Sequence, residues 1–472
     1  MKEKKKNSKI KKFKKLQIKL GHNNQNNWEM DNLDKKKVET FSQKYMTFIT
    51  KNKTERETTR YVKKLLEDKG YKENKGKNFY MLNKEKNIAI VRVGKNDLSK
   101  GVKLIVSHMD TPHIDLKQNP LYEDTNLAMM KTHYYGGIKK YQWVTRALSL
   151  HGIVVLKNGK EVEIRIGDKK KDPVFYIADL LPHLSHKAQN NKKMGEVIDG
   201  EKLNILVGSI PYKTDESLKE KIKFNILDIL YKKYGIVEED FLTAELQLVP
   251  AEGAREIGFD RSLIGAYGHD DRICSYAAME AILKAEETND TYVVLLVDKE
   301  EIGSDGNTGA KSYFLKQVIK QIFLNKDGKV DMVKMEDCLF NSKAISGDVN
   351  GAIDPDWKEV HESMNAARMG FGVCMTKFTG SGGKYSSSDA NAEFVARMRK
   401  VLNKNKVGWQ IGELGKVDEG GGGTIAKFIA SYGMDVVDMG TALLSMHAPM
   451  ECASKVDLFM TYKAYKVFFE KF

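Results

Sequence analysis

The sequence of 472 residues lacks the features of membrane-spanning and disulfide-rich proteins. No stretch of about 18 consecutive apolar residues occurs, so no transmembrane helix is predicted. The N-terminal region also lacks the long apolar segment of a secretory signal. The four cysteines are scattered without CxxC spacing, which favours a reducing, cytoplasmic environment over a disulfide framework or a cysteine-based zinc site. Any bound metal must therefore use His, Asp and Glu as ligands.

Positive charge is concentrated at the N-terminus. The net charge is +14, and residues 1–37 contain 13 lysines and four acidic residues, a net +9 that leaves +5 for the other 435 residues. Because residues 1–37 have few apolar side chains, they are predicted to form a disordered basic tail. Ile10, Phe13, Leu16 and Leu20 have near-helical spacing, so the alternative is a basic amphipathic helix that binds an acidic membrane surface, a partner or RNA.

The rest of the sequence predicts an α/β fold with an inserted domain. Helix and strand patterns alternate in residues 38–115 and 256–472, which is typical of an α/β sandwich with a largely parallel sheet. Thr54 and Glu57 form a capping-box pair at the start of one predicted helix, and another helix is predicted over residues 308–325. Residues 116–255 are rich in glycine and in β-branched runs, and they predict a smaller, β-rich inserted domain.

Two adjacent acidic residues follow the most apolar strand pattern, residues 293–297. Glu300 and Glu301 come shortly after this strand and just before Gly303. Neighbouring side chains of a strand point to opposite faces, so both carboxylates can serve one site only if the chain has begun to turn. Ligands usually bind at this edge of an open α/β sheet, where one carboxylate could hold a metal and the other move a proton. A solvated acidic turn is the alternative.

Two other segments combine metal-binding residue types with the end of a strand or the start of a helix. His108 and Asp110 follow a strand and are two residues apart, so Asp110 is placed to fix the tautomer of the imidazole. Asp270 and Asp271 precede a helix, where either one could instead cap the N-terminus. Each signal is weak alone, but one crevice of the α/β part could collect them.

Asp348 and His447 complete a candidate set of ligands. Asp348 follows a short apolar strand, with an ordinary Asx turn as the alternative, and His447 ends a loop of small residues. Two Zn²⁺ ions carry four positive charges and three carboxylates supply three negative ones, so a hydroxide would balance the site. In this scheme two zinc ions share five ligands: His108, Asp270, Glu301, Asp348 and His447. Glu300 is then free to act as a general base.

These residues lie in five short motifs: residues 107–112 (SHMDTP), 268–274 (GHDDRIC), 298–304 (DKEEIGS), 346–348 (SGD) and 446–451 (MHAPME). Together, and in this order, they resemble the metal-site motifs of the aspartyl aminopeptidase family of dizinc metallopeptidases. The resemblance covers about residues 40–472, and the five motifs are jointly highly specific. It implies a zinc-peptidase α/β sandwich catalytic domain interrupted by a smaller β-rich dimerisation domain, and assembly of homodimers into a homododecamer.

The resemblance also implies a role for each site residue. The implied metal ligands are His108 and Asp348 on one zinc, Glu301 and His447 on the other, and Asp270 as the bridge. Asp270 is chosen over Asp271 because the family's bridging aspartate comes immediately before an Asn or Asp. Asp110 would orient His108, and Glu300 would be the general base.

The substrate-binding residues follow the family pattern less closely. Family members have a histidine that reaches a neighbouring subunit's active site, and here His183 and His186 are both candidates. A lysine of the family faces an acidic P1 side chain, and Lys377 or Lys384 lies in the similar segment. Because this segment is unusually rich in glycine, the sequence does not decide between a preference for an acidic P1 residue (Asp or Glu) and one for a neutral P1 residue (Leu or Met).

The sequence therefore predicts a hydrolase, a cytoplasmic metalloaminopeptidase that removes single N-terminal residues from peptides. Two Zn²⁺ ions per chain are expected, although Co²⁺ and Mn²⁺ suit the same ligands. No nucleic-acid partner and no membrane span are expected. One alternative is a dizinc amidohydrolase that deacylates N-acyl amino acids. The other is a basic-tailed protein that binds nucleic acid or a membrane surface and keeps only a vestigial site.

Overall fold

The computed structural model describes residues 11, 13–17, 19–21, 24–214, 217, 219–287 and 289–472. Much of the predicted tail, including Ile10, lies outside these residues. Within the described part, residues 13–17 are helical and Phe13, Leu16 and Leu20 are exposed. That this segment binds a partner or a surface stays a prediction.

Residues 24–37 are folded, although the sequence predicted them as part of the disordered tail. Helix α1 (Lys35–Lys51) begins within this range and is capped by the Asp34 side chain. Asn27 is 3% exposed, and its backbone N–H donates to the carbonyl oxygen of Gly370 at 2.7 Å. The few apolar residues of the segment pack against the main core: Trp28, Met30 and Leu33. Composition alone did not predict that this segment is folded, because only a few apolar side chains, each packed against the core, hold it in place.

The helices of the described residues agree with most of the predicted ones. They are α1, α2 (Glu55–Asp68), α3 (Pro182–Ala188), α4 (Met194–Val197), α5 (Lys221–Tyr234), α6 (His269–Lys284), α7 (Phe314–Asp327), α8 (Met332–Asn341), α9 (Ala392–Lys404), α10 (Ala426–Ala430) and α11 (Lys455–Lys471). The capping box of Thr54 and Glu57 is present at the start of α2. Helix α7 begins six residues later than predicted, because the Thr308 hydroxyl donates to Asp298 at 2.8 Å and holds the preceding chain in a turn.

A nine-stranded mixed sheet forms the largest layer. In spatial order its strands, numbered along the chain, are β1 (Lys72–Glu73), β2 (Asn78–Asn83), β3 (Asn87–Arg92), β14 (Tyr292–Val297), β4 (Lys103–His108), β15 (Lys343–Gly347), β21 (Asp435–Gly440), β17 (Val373–Thr376) and β19 (Trp409–Ile411). The four central strands, from β14 to β21, are parallel neighbours. The prediction of an α/β fold with a largely parallel sheet is confirmed at its centre.

Helices cover both faces of this sheet. The side chains of β14 alternate between two apolar clusters: Val294 and Leu296 face α1, α2, α6 and α11, whereas Val293 and Leu295 face α7, α8 and α10. Burial of both faces explains why β14 is a continuous apolar run rather than an alternating pattern.

A second, antiparallel sheet has a core of its own. Its strands in spatial order are β8 (Glu161–Ile166), β7 (Leu148–Val155), β11 (Ala244–Pro250), β5 (His113–Asp124), β6 (Leu127–Tyr135), β10 (Ile205–Gly208) and β9 (Tyr176–Ile177). All of them fall between His113 and Pro250, so the β-rich character predicted for residues 116–255 is present. The division into domains at residues 115 and 255 stays a prediction.

Two smaller sheets complete the strands. The first contains β12 (Arg255–Ile257), β13 (Leu263–Ala266), β23 (Glu451–Ser454), β22 (Ala442–Leu444) and β16 (Asn350–Gly351), and the second pairs β18 (Gly380–Ser381) with β20 (Gly421–Gly422). All four cysteines are unpaired, as predicted. No helix of the described residues combines the length and the apolar character needed to cross a membrane.

The register of the central strands brings several candidate residues to one edge. Val297 of β14 lies opposite His108 of β4, and Gly347 of β15 lies opposite Ser107. Because these strands are parallel, their C-terminal ends lie side by side, and the residues that follow them meet at the same edge of the sheet.

A buried charged cluster joins the two large sheets. His151, on β7, places Nδ1 2.8 Å from Glu57 of α2 and Nε2 3.2 Å from Asp168. Lys53 and Arg165 also contact Asp168, at 2.9 and 2.6 Å. Burial lowers the pKa of His151, but the two carboxylates outweigh this effect and its pKa is raised. The charged imidazole therefore helps to hold α2 against the second sheet.

Substitution of His151→Gln should lower the free energy of unfolding by roughly 3 kcal/mol, because two buried carboxylates lose one of their cations. Since folding raises the pKa of His151, its stabilisation is fully present below the unfolded-state pKa of about 6.5 and is lost as the pH rises through the folded-state pKa. The measurement is urea-induced unfolding of both proteins at about pH 6 and at alkaline pH.

The control is Lys157→Gln, which removes the exposed ion pair between Lys157 and Glu239 and should leave the free energy of unfolding almost unchanged, because solvent screens this pair. Equal effects of the two substitutions would show that the His151 cluster does not stabilise the junction.

Candidate metal centre

His108 stands at the end of β4 with one ring nitrogen already engaged. Its side chain is 1% exposed, and Nδ1 lies 2.9 Å from the carbonyl oxygen of Asp110 and 3.3 Å from its carboxylate. Nε2 lies 3.2 Å from Asp270 Oδ1 and 3.9 Å from Asp348 Oδ1. An imidazole that donates its Nδ1–H to an oxygen keeps the Nε2 lone pair for a metal.

Asp270 lies between the two candidate histidines. Its Oδ1 is 3.2 Å from His108 Nε2, and its Oδ2 is 3.2 Å from His447 Nε2. The backbone is not helical at Asp270 or Asp271, so the regular part of helix α6 begins only after them. Asp271 accepts a hydrogen bond of 2.6 Å from the Ser107 hydroxyl. The two adjacent aspartates, joined by a cis peptide bond, thus face different partners, and only Asp270 faces both imidazoles.

Glu300 and Glu301 lie in a short 3-10 turn after β14, between the left-handed residues Lys299 and Gly303. The backbone N–H groups of both glutamates donate to the Asp110 carboxylate, each at 3.1 Å. The strand has therefore ended before the pair, and both side chains can be directed to one site. A ligand atom of each glutamate lies within 4.8 Å of the other and of His108.

His447 reaches the centre from a loop and is held at both ends. Its Nδ1 lies 2.9 Å from the carbonyl oxygen of Gly137, just after β6, and its backbone N–H donates to Glu451 at 2.7 Å. Its Nε2 lies 3.4 Å from Glu301 Oε2. The His447 side chain is 32% exposed, so this side of the centre is open to solvent.

Three groups of ligand atoms are close enough to hold a metal: one is His108, Glu300 and Glu301, and the other two share a single residue. His108, Asp270 and Asp348 form one group, and Asp270, Glu301 and His447 form the other, with all ligand atoms of each group within 4.8 Å of one another. Asp270 Oδ1 and Glu301 Oε1 are buried without a hydrogen-bond partner. Buried carboxylate oxygens normally have partners, and a pair of cations would satisfy both. The residues present therefore fit two metal ions.

Electrostatics at the centre also favour bound cations. Burial raises the pKa of Glu301, and the nearby Asp270 raises it further; the pKa of Asp348 is likewise raised by burial and by Asp271. Burial also raises the pKa of Glu300 to about 7, with Asp110 adding to the rise and His108 opposing it. So many carboxylates in one buried site repel each other unless cations neutralise them.

Two residues that hold the centre together were given no role by the sequence. Glu451 accepts from the backbone N–H groups of Asp270 and His447, at 3.1 and 2.7 Å. It stands in the 446–451 motif, so that motif carried a signal for it. The Tyr135 hydroxyl donates to Asp110 at 2.9 Å, and no sequence pattern points to it.

A cavity of about 260 Å³ opens onto the centre, and it is also lined by glycine-rich chain around residues 378–384 and 413–424. Lys384 lines this cavity, whereas Lys377 does not. Both ammonium groups contact Asp389, with Lys377 Nζ 2.5 Å from Oδ1 and Lys384 Nζ 3.0 Å from Oδ2. The candidate substrate lysines are thus already paired with a carboxylate.

The structure does not bring His183 or His186 to the metal centre of their own chain. Both lie on the short helix α3 with exposed side chains, and neither lines the cavity. A contact from a neighbouring subunit stays a prediction.

Comparison with known proteins supports the resemblance found in the motifs. A family model described as aminopeptidase I zinc metalloprotease (M18) matches residues 48–469. The probable M18 family aminopeptidase 1 of Thermotoga maritima is 50% identical over 444 residues, covering 93% of this chain and 97% of the relative. Its counterpart in Borrelia garinii subsp. bavariensis is 48% identical over 457 residues, covering 95% of this chain and 99% of the relative.

Solved structures give the same result. The crystal structure of the M18 aminopeptidase of Thermotoga maritima has a TM-score of 0.91 at 48% identity, and the match covers 96% of this chain and 100% of that chain. The S. cerevisiae mApe1 dodecamer has a TM-score of 0.73 at 23% identity, covering 92% of this chain and 97% of that chain, and it supports the fold alone. A family match across most of the sequence, with relatives and a solved structure of nearly equal length, shows that this chain belongs to the M18 family of zinc metalloaminopeptidases.

Proposed function

We propose that the chain removes single N-terminal residues from peptides at a dinuclear zinc centre. The observation that carries this proposal is the sharing of Asp270 by two groups of ligand atoms. His108 and Asp348 would hold one zinc, Glu301 and His447 the other, and Asp270 would bridge the two. Zinc agrees with the family description, although Co²⁺ and Mn²⁺ suit the same N and O ligands.

The residues around the metals have distinct tasks in this proposal. When bound, the zinc ions supply Lewis acidity for attack on the scissile carbonyl group. Glu300, left free of the ligand set, takes a proton from the attacking water and returns it to the leaving amine. Asp110 is a positioning residue, because it orients His108 through Nδ1 and holds the backbone of the Glu300 turn.

Substitution of Glu300→Gln should lower kcat at least about a hundredfold, because the amide cannot accept the proton. Metal content, measured by elemental analysis, should stay at the wild-type value, because Glu300 is not a ligand in this scheme. The control is Glu393→Gln, an exposed residue in the first turn of α9, which should keep wild-type kcat. Retention of more than about a tenth of wild-type kcat by the Glu300 variant would exclude it as the base.

Substitution of Asp270→Asn should remove metal as well as activity, because an amide oxygen is a poor bridge between two cations. The comparison is Asp271→Asn, a neighbouring buried aspartate that faces Ser107 and should leave two metals per chain. Elemental analysis after dialysis against metal-free buffer measures both. Two tightly bound metals in the Asp270 variant, together with loss of metal from the Asp271 variant, would reverse the assignment.

The chain is also proposed to assemble into a homo-oligomer. The S. cerevisiae mApe1 of the same fold is a dodecamer. In this chain His183 and His186 are exposed on α3 and do not line the cavity of their own chain, which suits a contact with a neighbouring subunit's site.

For the P1 side chain, we propose a neutral residue such as Leu or Met. Asp389 uses one carboxylate oxygen for each candidate lysine, so an acidic P1 side chain near Lys384 would compete with a charge of the same sign. The two glycine-rich segments also line the cavity with the apolar residues Phe378, Leu414 and Val417, beside the charged residues Glu413 and Lys416.

Substitution of Asp389→Asn should raise kcat/KM for N-terminal Asp and Glu relative to Leu and Met by about fivefold, the worth of one partly exposed ion pair. A panel of aminoacyl substrates on metal-defined protein measures the ratio. Asp418→Asn, on the neighbouring exposed loop, is the control and should leave it unchanged. An unchanged ratio in the Asp389 variant would contradict the proposal.

The same panel of substrates distinguishes the proposed aminopeptidase from the alternative, an amidohydrolase of N-acyl amino acids. An aminopeptidase needs a free α-amine, so N-acetylated versions of the best substrates should not be cleaved. Faster hydrolysis of the N-acetylated compounds would favour the deacylase and reject the aminopeptidase proposal.

A further inference from the structure

A cavity separate from the one at the metal centre lies between α1 and α11. We call it the α1–α11 groove. Its volume is about 680 Å³, and side chains of the segment before α1, of α1, of the end of α6 and of α11 line it. It shares no lining residue with the cavity at the metal centre, so a ligand in the groove would not touch the ligand set.

The floor of the groove is aromatic. Phe41 stacks on Tyr462 with ring centroids 4.7 Å apart, and Phe459 packs edge-on against Phe41 at 5.8 Å. Phe41 is buried, whereas Phe459 and Tyr462 are only half-buried although they pack against the main core. Apolar surface that is exposed to water in a concave site favours binding, because an apolar ligand that covers it lowers the free energy.

The rim of the groove carries an excess of positive charge. Six lysines line it, with Asp34 as the single carboxylate of the lining: Lys36, Lys37, Lys44, Lys284, Lys463 and Lys466. Three of these lysines have carboxylate partners, namely Asp34, Glu280 and Glu470.

The other three lysines are uncompensated. Among the described residues, Lys36, Lys44 and Lys463 have no carboxylate within ion-pair distance. Lys463 donates only to the carbonyl oxygen of Lys406, at 3.3 Å, and burial lowers its pKa without an acid to offset the effect. Clustered ammonium groups beside an apolar floor repel one another, and an anion placed among them relieves that repulsion.

We propose that the α1–α11 groove binds a small amphipathic organic anion, with the apolar body on the aromatic floor and the acidic group beside one of the uncompensated rim lysines, Lys36, Lys44 and Lys463. The size of the groove falls within the range of about 300–1,000 Å³ typical of small-molecule sites. Its aromatic floor excludes a purely inorganic anion as the best ligand, and its charged rim excludes a neutral hydrocarbon. This inference does not depend on the proposed peptidase mechanism.

The probe for the test is 8-anilinonaphthalene-1-sulfonate, which combines aromatic rings with one sulfonate, and binding is followed by its fluorescence on the full-length protein. Thr40→Glu places a carboxylate in the groove and should weaken binding at least about tenfold, because it repels the sulfonate. The matched control is Thr47→Glu, the same change two turns further along α1 and outside the groove lining, which should leave binding unchanged.

A second pair of variants keeps the test decisive if Thr40→Glu fails to fold. Lys44→Gln removes an uncompensated rim charge and should weaken binding about threefold to fivefold, whereas Lys63→Gln on α2 should have no effect. Binding should also weaken as salt is raised, and the uncharged analogue N-phenyl-1-naphthylamine should bind more weakly. Peptidase activity should be the same in all four variants.

The proposal would be overturned if each variant bound the probe as tightly as its control, or if the affinity for the probe did not depend on salt concentration. Two other results would overturn the proposal by indicating a different ligand for the groove. Displacement of the probe by an acidic amphipathic peptide that binds more tightly would indicate a protein partner. A change in oligomeric state in Thr40→Glu but not in Thr47→Glu, measured by light scattering, would indicate a second copy of this chain.

Discussion

The metal centre depends on one buried carboxylate, that of Asp110. It accepts hydrogen bonds from the backbone N–H groups of Glu300 and Glu301 and from the Tyr135 hydroxyl, and it lies beside Nδ1 of His108. A single side chain thus orients one candidate histidine ligand and fixes the turn that carries two glutamates. Because three donors and an imidazole compete for its two oxygens, Asp110 has very little freedom to move, and neither do the groups bonded to it.

The contacts of Asp110 explain how two adjacent glutamates can face the same site. Two adjacent carboxylates on a regular strand would point to opposite faces, but here β14 ends at Val297 and the chain turns through the left-handed residues Lys299 and Gly303. The turn would have several orientations if it were free. Two N–H groups bonded to the same carboxylate select one orientation, in which Glu300 and Glu301 both lie near His108.

Much of this centre could be predicted because its ligands stand in short motifs at the ends of apolar strands. The α/β fold and the parallel centre of the main sheet follow from local patterns, whereas the choice of Asp270 over Asp271 as the shared residue followed from the family resemblance. Contacts between segments distant in sequence could not be read in this way. Tyr135 reaches Asp110 from the second sheet, and Asp389 pairs with both candidate substrate lysines. The folded state of residues 24–37 could not be predicted either, because it depends on the contacts that Asn27 and three apolar side chains make with distant parts of the chain rather than on composition.

The contact between His447 and Gly137 has a consequence for the independence of the two large sheets. Gly137 follows a strand of the antiparallel sheet, yet its carbonyl oxygen fixes the imidazole of a ligand supplied by a loop some 310 residues further along the chain. Together with the hydrogen bond from Tyr135 to Asp110, this contact means that the β-rich part contributes hydrogen bonds to the centre itself. The β-rich part is therefore not an interchangeable module: a chain without it would keep all five candidate ligands and still lack the groups that hold Asp110 and His447 in place.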